Sequence, residues 1–246
     1  MQFTKDDIER YKPQINLKKI NIQGQKKIQQ SNVLVIGLGG IGSPLLEFLA
    51  RAGIKKIGLC DFDKVSKSNL HRQFYNAADI NKNKSKSAAK KVKLIDKKIK
   101  LKIINKKISK LNIKQIAQDY DYIIEGTDSF VSKLLVNDFC KKNKKKLFIG
   151  SVSQFDSHIF FFDFNKNGPC LRCFMPKAPN NTPRCQDEGI LGTVTGITAT
   201  LIANEVLKEI AGVKSTLQNH VLISNFENLT FRKVKINISK KCKNHD

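Results

Sequence analysis

The chain has 246 residues, 40% of them hydrophobic, and a formal net charge of +24. That length accommodates one large domain or two small ones around a real core, and the absence of low-complexity tracts argues for a globular protein. Only six of the 45 basic residues are Arg and the lysines run from end to end, as on a solvated surface, so nucleic-acid recognition is not expected.

From the start, MQFTKDDIERYK is polar and carries acids, unlike a signal or transit peptide. Thr4, with Asp7 three residues on, predicts a short capped helix over 4–11. NVLVI (32–36) reads as a strand buried on both faces. It runs into GLGGIG (37–42) and then SPLLEFLARAG, a helix with Pro44 in its first turn and Gly53 at its end. Strand, glycine turn and helix together are the context in which Gly37, Gly39 and Gly42 become a phosphate-binding turn. KKIGLCDFD (55–63) is a second strand that delivers Asp61 to the position from which such folds grip ribose hydroxyls.

Beyond it, DFDKVSKSNLHRQF places Asn69, Arg72 and Gln73, and Lys84 opens a helical pattern over 84–99. An Arg and a Lys beside a glycine turn suit the charge of a triphosphate and its transition state, a task hydride transfer does not set. Strands follow at 101–108, 120–126 and 145–151, with helices between them that imply right-handed crossovers and a largely parallel sheet. Asp128, in EGTDS, closes the second of these strands and faces the same crevice, where a carboxylate holds Mg2+ against phosphates. Taken singly, Arg72 is also readable as a surface ion pair, Lys84 as one lysine among many and Asp128 as a helix cap. Jointly they favour the triphosphate.

After Gly150 the strands at 157–164, 220–226 and 229–236 suggest an antiparallel addition, the last two joined by a tight turn at Glu227 and Asn228. GILGTVTGITATLIAN (189–204) is short for a bilayer and reads as a buried helix, so the expectation is a cytosolic protein with no membrane span. The proline-rich stretch over 175–189 has no period and reads as a long loop of the kind that is usually functional or mobile. Of the six cysteines, Cys60 and Cys140 sit in apolar patterns and read as core. Cys170 and Cys173 form half a zinc site by spacing, and Cys242 with His245 repeats the two-residue gap, giving a Cys3His set that staples the tail to mid-chain. Free thiols and a loose tail are the alternative.

From about Tyr11 to the end, the run of GLGGIG, DFDxVxxSNLHRQ, the lysine of INKNK, GTDS, CLRC, CQDEGILGTVTG and the metal-ligand tail resembles the ThiF/MoeB branch of the ubiquitin-activating-enzyme superfamily. The resemblance implies one α/β domain over 1–246, a Rossmann-like mostly parallel sheet flanked by helices with a zinc-tied antiparallel C-terminal extension. Residues 1–150 would be its nucleotide-binding half and 151–246 its carrier-binding, zinc-bound half. It implies that ATP and Mg2+ adenylate the C-terminal carboxylate of a ubiquitin-like sulfur carrier ending in Gly-Gly, of the thiamine or molybdopterin synthesis type, in a homodimer. Gly40 would lie against the phosphates and Asp61 against ribose, with Asp63 and Thr127 nearby. Asn69, Arg72, Gln73 and Lys84 would hold the triphosphate and Asp128 the Mg2+. Cys185 matches a cysteine that handles sulfur in some relatives, a bystander thiol being the other reading. YKPQI departs from the family's Tyr-x-Arg-Gln-Ile: Pro13 replaces an arginine that reaches the partner subunit's nucleotide. Ser129 stands where Asn is common and His245 where a fourth Cys is usual. Relatives that activate a modified tRNA base, a weakened nucleotide- or carrier-binding protein and, last, an oxidoreductase are the competing readings.

Overall fold

The structure, a computed structural model, describes residues 3–179, 189–242 and 244. Its strands are β1 (Asn32–Ile36), β2 (Lys56–Cys60), β3 (Lys100–Ile104), β4 (Tyr122–Glu125), β5 (Lys146–Ser153), β6 (Asp156–Asp163), β7 (His220–Asn225) and β8 (Thr230–Lys235). They form one sheet in the order β3-β2-β1-β4-β5-β6-β7-β8. Pairing is parallel from β3 across to β5 and antiparallel from β5 to β8. The chain lays down β1, β2 and β3 outward, then returns to place β4 on the other side of β1. That reversal makes the C-terminal ends of β1 and β4 a topological switch point, where open α/β sheets bind ligands.

The helices described are α1 (Lys5–Ile15), α2 (Asn21–Gln30), α3 (Gly42–Ala52), α4 (Lys84–Ile95), α5 (Ile113–Ala117), α6 (Phe130–Lys142), α7 (Leu171–Phe174) and α8 (Gly192–Ala211). Side chains alternate across the strands, so the sheet supports two cores. Val33, Val35, Phe148 and Phe161 face α3, α4 and α8, whereas Leu34, Ile36, Leu147 and Phe162 face α5, α6 and α7. Phe148 and Phe161 are register partners whose rings stack at 4.4 Å between centroids. The edge strand β8 is exposed along its whole length and carries Phe231 and Val234 among Arg232, Lys233 and Lys235.

Several elements depart from the sequence expectation. The first helix forms with the expected Thr4–Asp7 capping box but continues through Pro13 to Ile15. Helix α4 stops at Ile95 rather than 99, because Asp96 turns to bind Lys55 at 2.6 Å. β3 starts one residue early and ends at Ile104. The last hairpin has a four-residue connection, Phe226 to Leu229, in place of a tight turn, and Leu229 takes φ +52°. Helix α2 was not expected at all: its inward positions include Gln25 and Gln29, which are buried and bonded to the Ala52 carbonyl and to Asp7, so its apolar period is hidden.

Candidate functional site

The crevice is assembled by the ends of three parallel strands. After β1 the chain turns at Gly37, whose φ of +85° favours glycine, and a Cβ there would lie 2.7 Å from the Thr127 nitrogen. A side chain on Gly42 would collide with the Gly37 carbonyl, and one on Gly40 would press on Thr195 of α8 at 3.0 Å. The turn's glycines therefore stay bare, while Leu38 and Ile41 point into the core, with the start of α3 behind them.

Asp61, beyond β2, is buried and accepts hydrogen bonds from the Leu38 N–H at 2.7 Å and the Asp63 N–H at 2.8 Å. Burial is the largest influence on it and pushes its carboxyl above the ordinary value, against the charge of Lys84 and the two N–H groups. Asn69 and Gln73 are buried close by, and the Gln73 Oε1 has no hydrogen-bond partner among the described residues. A buried orphan of this kind marks a place for a further polar group. Lys84 is buried at the first position of α4 and pairs with Asp63 at 3.1 Å. Arg72 makes no ion pair among the described residues: its guanidinium donates to the Ser68 carbonyl at 2.9 Å and meets His71 at 2.6 Å.

The third strand end carries Glu125, Gly126, Thr127 and Asp128. Asp128 is exposed, has no partner among the described residues, and is not the helix cap, since Ser129 accepts from the Ser132 N–H to start α6. The Thr127 hydroxyl donates to Glu125. Glu125 is fully buried and bound by Lys133 at 2.6 Å; burial pushes its carboxyl up and Lys133 opposes that. Glu125, Lys133 and Tyr75, whose hydroxyl donates to the Leu38 carbonyl at 2.8 Å, were missed in the sequence reading. The signal for Glu125 was an acid closing a strand eight residues before a lysine in the first turn of the next helix. Two surface clefts of about 340 and 410 Å3 open at the opposite end of the sheet, around Lys56 and Lys100, and include none of the crevice residues.

A second cluster lies on the other face. The sulfurs of Cys170, Cys173 and Cys242 fall within 4.8 Å of one another, with Cys170 and Cys242 buried. That donor set fits a thiophilic metal ion. His245 and Cys185 lie outside the described residues. Cys60 and Cys140 are buried as expected, and burial is the main reason the Cys60 thiol is pushed up to about 12, which makes it inert. Among the described residues no helix is long and apolar enough to cross a membrane.

A glycine-rich turn, a buried acid and a buried lysine at a sheet switch point define an open α/β sheet protein with a crevice at its strand ends. The ThiF family model matches residues 11–244, and the chain belongs to that family. It is 30% identical over 249 residues to the sulfur carrier protein adenylyltransferase of Thermus thermophilus, covering 98% of this chain and 92% of the relative. It is 34% identical to the adenylyltransferase and sulfurtransferase MOCS3 of Aedes aegypti, covering 96% of this chain but 54% of that protein, so it spans about half that relative's length. Among solved structures, E. coli MccB crystallised with MccA-N7isoASN superposes with a TM-score of 0.86 at 19% identity, covering 98% of this chain and 75% of MccB. At that identity the likeness concerns the fold.

Proposed function

We propose that this chain is an ATP-dependent adenylyltransferase that activates the C-terminal Gly-Gly carboxylate of a ubiquitin-like sulfur carrier, of the kind that serves thiamine or molybdopterin synthesis. The observation that supports it best is one crevice lined by the 37–42 turn, Asp61, Asn69, Gln73, Lys84 and Asp128, in a chain 30% identical over 98% of its length to a sulfur carrier protein adenylyltransferase.

In this reading a carboxylate oxygen of the carrier attacks the α-phosphorus of ATP. The new P–O bond forms as the bond to the bridging oxygen breaks, giving an acyl adenylate and pyrophosphate. The nucleophile arrives deprotonated, so no side chain has to take a proton, and the protein supplies position and charge. Gly40 and its neighbours let the phosphates reach backbone N–H groups and the positive end of α3. Asp61 receives the ribose hydroxyls. Lys84, exchanging Asp63 for phosphate oxygens, acts with Arg72 on the developing charge, and the amides of Asn69 and Gln73 fix the triphosphate's orientation. Asp128, an exposed carboxylate with no partner among the described residues, would hold Mg2+, whose chemistry is to neutralise phosphate charge. Cys170, Cys173 and Cys242, completed by His245, would hold a structural zinc ion. Cys185 would take part in sulfur handling after adenylation, and the working unit would be a cytoplasmic homodimer.

One observation favours a second reading, a nucleotide- or carrier-binding protein with weakened turnover. Pro13 sits inside α1, and Arg10, the arginine of that helix, is tied to the Ile95 carbonyl at 3.3 Å and to Asp96 at 3.6 Å. The test is exchange of labelled pyrophosphate into ATP in the presence of small proteins ending in Gly-Gly. Wild-type protein is expected to exchange, whereas Arg72→Ala and Asp128→Ala abolish exchange and leave the circular dichroism spectrum unchanged. Near-normal exchange in both variants overturns the assignment, and ATP binding without exchange favours the second reading.

A further inference from the structure

Beneath the Thr127–Asp128 loop lies a charged pair that the proposed chemistry does not use. Glu125 ends β4 between Ile36 of β1 and Ile149 of β5, in the middle of the sheet. Its side chain is 0% exposed and that of Lys133 is 4% exposed. Removing two charges from water costs several kcal/mol per ion, and a hydrophobic pair of the same volume usually serves stability as well or better. What distinguishes this pair is where its remaining bonds go.

Every one of those bonds points at the crevice or its wall. One Glu125 oxygen takes Lys133 Nζ at 2.6 Å; the other takes the Thr127 N–H at 3.2 Å and the Thr127 hydroxyl. Lys133 spends a second proton on the Gly150 carbonyl at 2.7 Å, which ties the start of α6 to β5. Thr127 Oγ1 in turn accepts the Ser129 N–H at 3.3 Å, so the residues on both sides of Asp128 are fixed from below. On the opposite side Thr127 abuts Gly37, and the Gly126 N–H donates to the Ile36 carbonyl at 2.8 Å. Asp128 is the one residue of this loop left exposed, on top of a base bonded at each neighbouring position.

We infer that Glu125 and Lys133 are a positioning pair, holding the Thr127 loop so that the Asp128 carboxylate meets the cation on the nucleotide's phosphates. Neither residue reaches the nucleotide. The inference rests on the proposed function for the identity of that cation, but its geometry stands without it. Groups that orient a metal ligand typically carry 10–100-fold of the metal affinity, so the effect belongs in metal dependence rather than in the affinity for nucleotide alone.

The experiment compares wild type, Glu125→Gln/Lys133→Met, Thr127→Val and a remote control, Lys146→Met, which breaks a pair with Glu209 at the start of β5. The double variant leaves no lone buried charge, and Thr127→Val keeps both charges while removing the hydroxyl link, so the two break the support by different routes. Two quantities are read: the Mg2+ concentration giving half-maximal pyrophosphate exchange, and the affinity for Mn2+ in the presence of a non-hydrolysable ATP analogue. The double variant and Thr127→Val are each expected to need about tenfold more metal in both assays, with the control like wild type at matched fraction folded. Unchanged metal affinity in variants that fold overturns the inference while the proposed function stands. Weakened Mn2+ binding in a protein whose wild type never exchanges pyrophosphate supports the inference and overturns the proposed function.

Discussion

Gly37 holds two strand ends together by having nothing to offer: its φ is +85°, and a methyl group would sit 2.8 Å from the Gly126 carbonyl carbon. We expect Gly37→Ala to lose about 1–3 kcal/mol of stability in urea titration and to reduce pyrophosphate exchange further than that loss explains, because Thr127 must move. A second residue-scale test lies at the far end of the sheet. For Asp96, burial opposes ionisation, but Lys55 at 2.6 Å and a backbone N–H outweigh it and hold its carboxyl below the ordinary value; for Lys55, burial is likewise outweighed by Asp96 and its pKa is raised. A depressed acid stabilises above its unfolded value and loses that as pH falls. A raised base stabilises below its unfolded value and loses that as pH climbs. The pair's contribution thus fills the window from about pH 4 to about 10, and Asp96→Asn should cost about 3 kcal/mol at neutrality and converge with wild type in acid. Chemical unfolding at pH 3 and pH 7 checks both sign and size. That Asp61, Lys84 and Asp128 would gather at the strand ends was legible in the sequence, because each follows a strand or opens a helix at the switch point. Tyr75, Glu125 and Lys133 were not, since a buried polar side chain is defined by partners that only the folded chain brings near.

At the scale of elements, α6 connects the crevice to the cysteine cluster. Its first turn carries Ser129 as cap and Lys133 under the loop, and its second half carries Asn137, which accepts the Leu171 N–H at 2.8 Å. Asp138 follows, bound by Arg172 at 2.7 and 2.6 Å and by Asn244 of the tail at 2.7 Å. The turn bearing Cys170 and Cys173 and the tail bearing Cys242 therefore hang on the same helix. If zinc occupies that cluster, chelation or Cys242→Ser should lower the melting temperature by about 4–8 °C, equivalent to about 2 kcal/mol for a chain of this size. Metal analysis beside calorimetry checks it, and an unchanged melt with zinc absent removes the staple. Strand, glycine turn and α3 were readable because apolar run, turn chemistry and cap agreed over one short stretch. Helix α2 was unreadable for the opposite reason, its buried face being part glutamine and its Gly24 lying so near Ala211 that a Cβ there would come within 3.2 Å of it, a close approach rather than a break.

Across the whole molecule, the parallel half was predictable from alternating strands and helices, and the antiparallel half from the change of character after Gly150. How lysine would be distributed was not predictable, because pairing depends on the fold. Lys55, Lys84 and Lys133 are buried against acids, while β8 leaves Arg232, Lys233 and Lys235 on an open edge. With +24 of formal charge, most of the cations face solvent and set up a long-range field. Such a field hastens encounter with an acidic partner but adds little to a docked complex, and screening shortens its reach from about 10 Å at 0.1 M salt to about 3 Å at 1 M. If the carrier is acidic, raising NaCl from 50 to 500 mM should raise its KM about tenfold with little change in kcat. In the proposed reading the positioned groups of the crevice would lie within a few ångströms of a bound nucleotide, where salt screens them far less. A fall in kcat with KM unchanged would place the charge dependence in the chemical step instead, and the dispersed surface lysines would then have no part in bringing the carrier in.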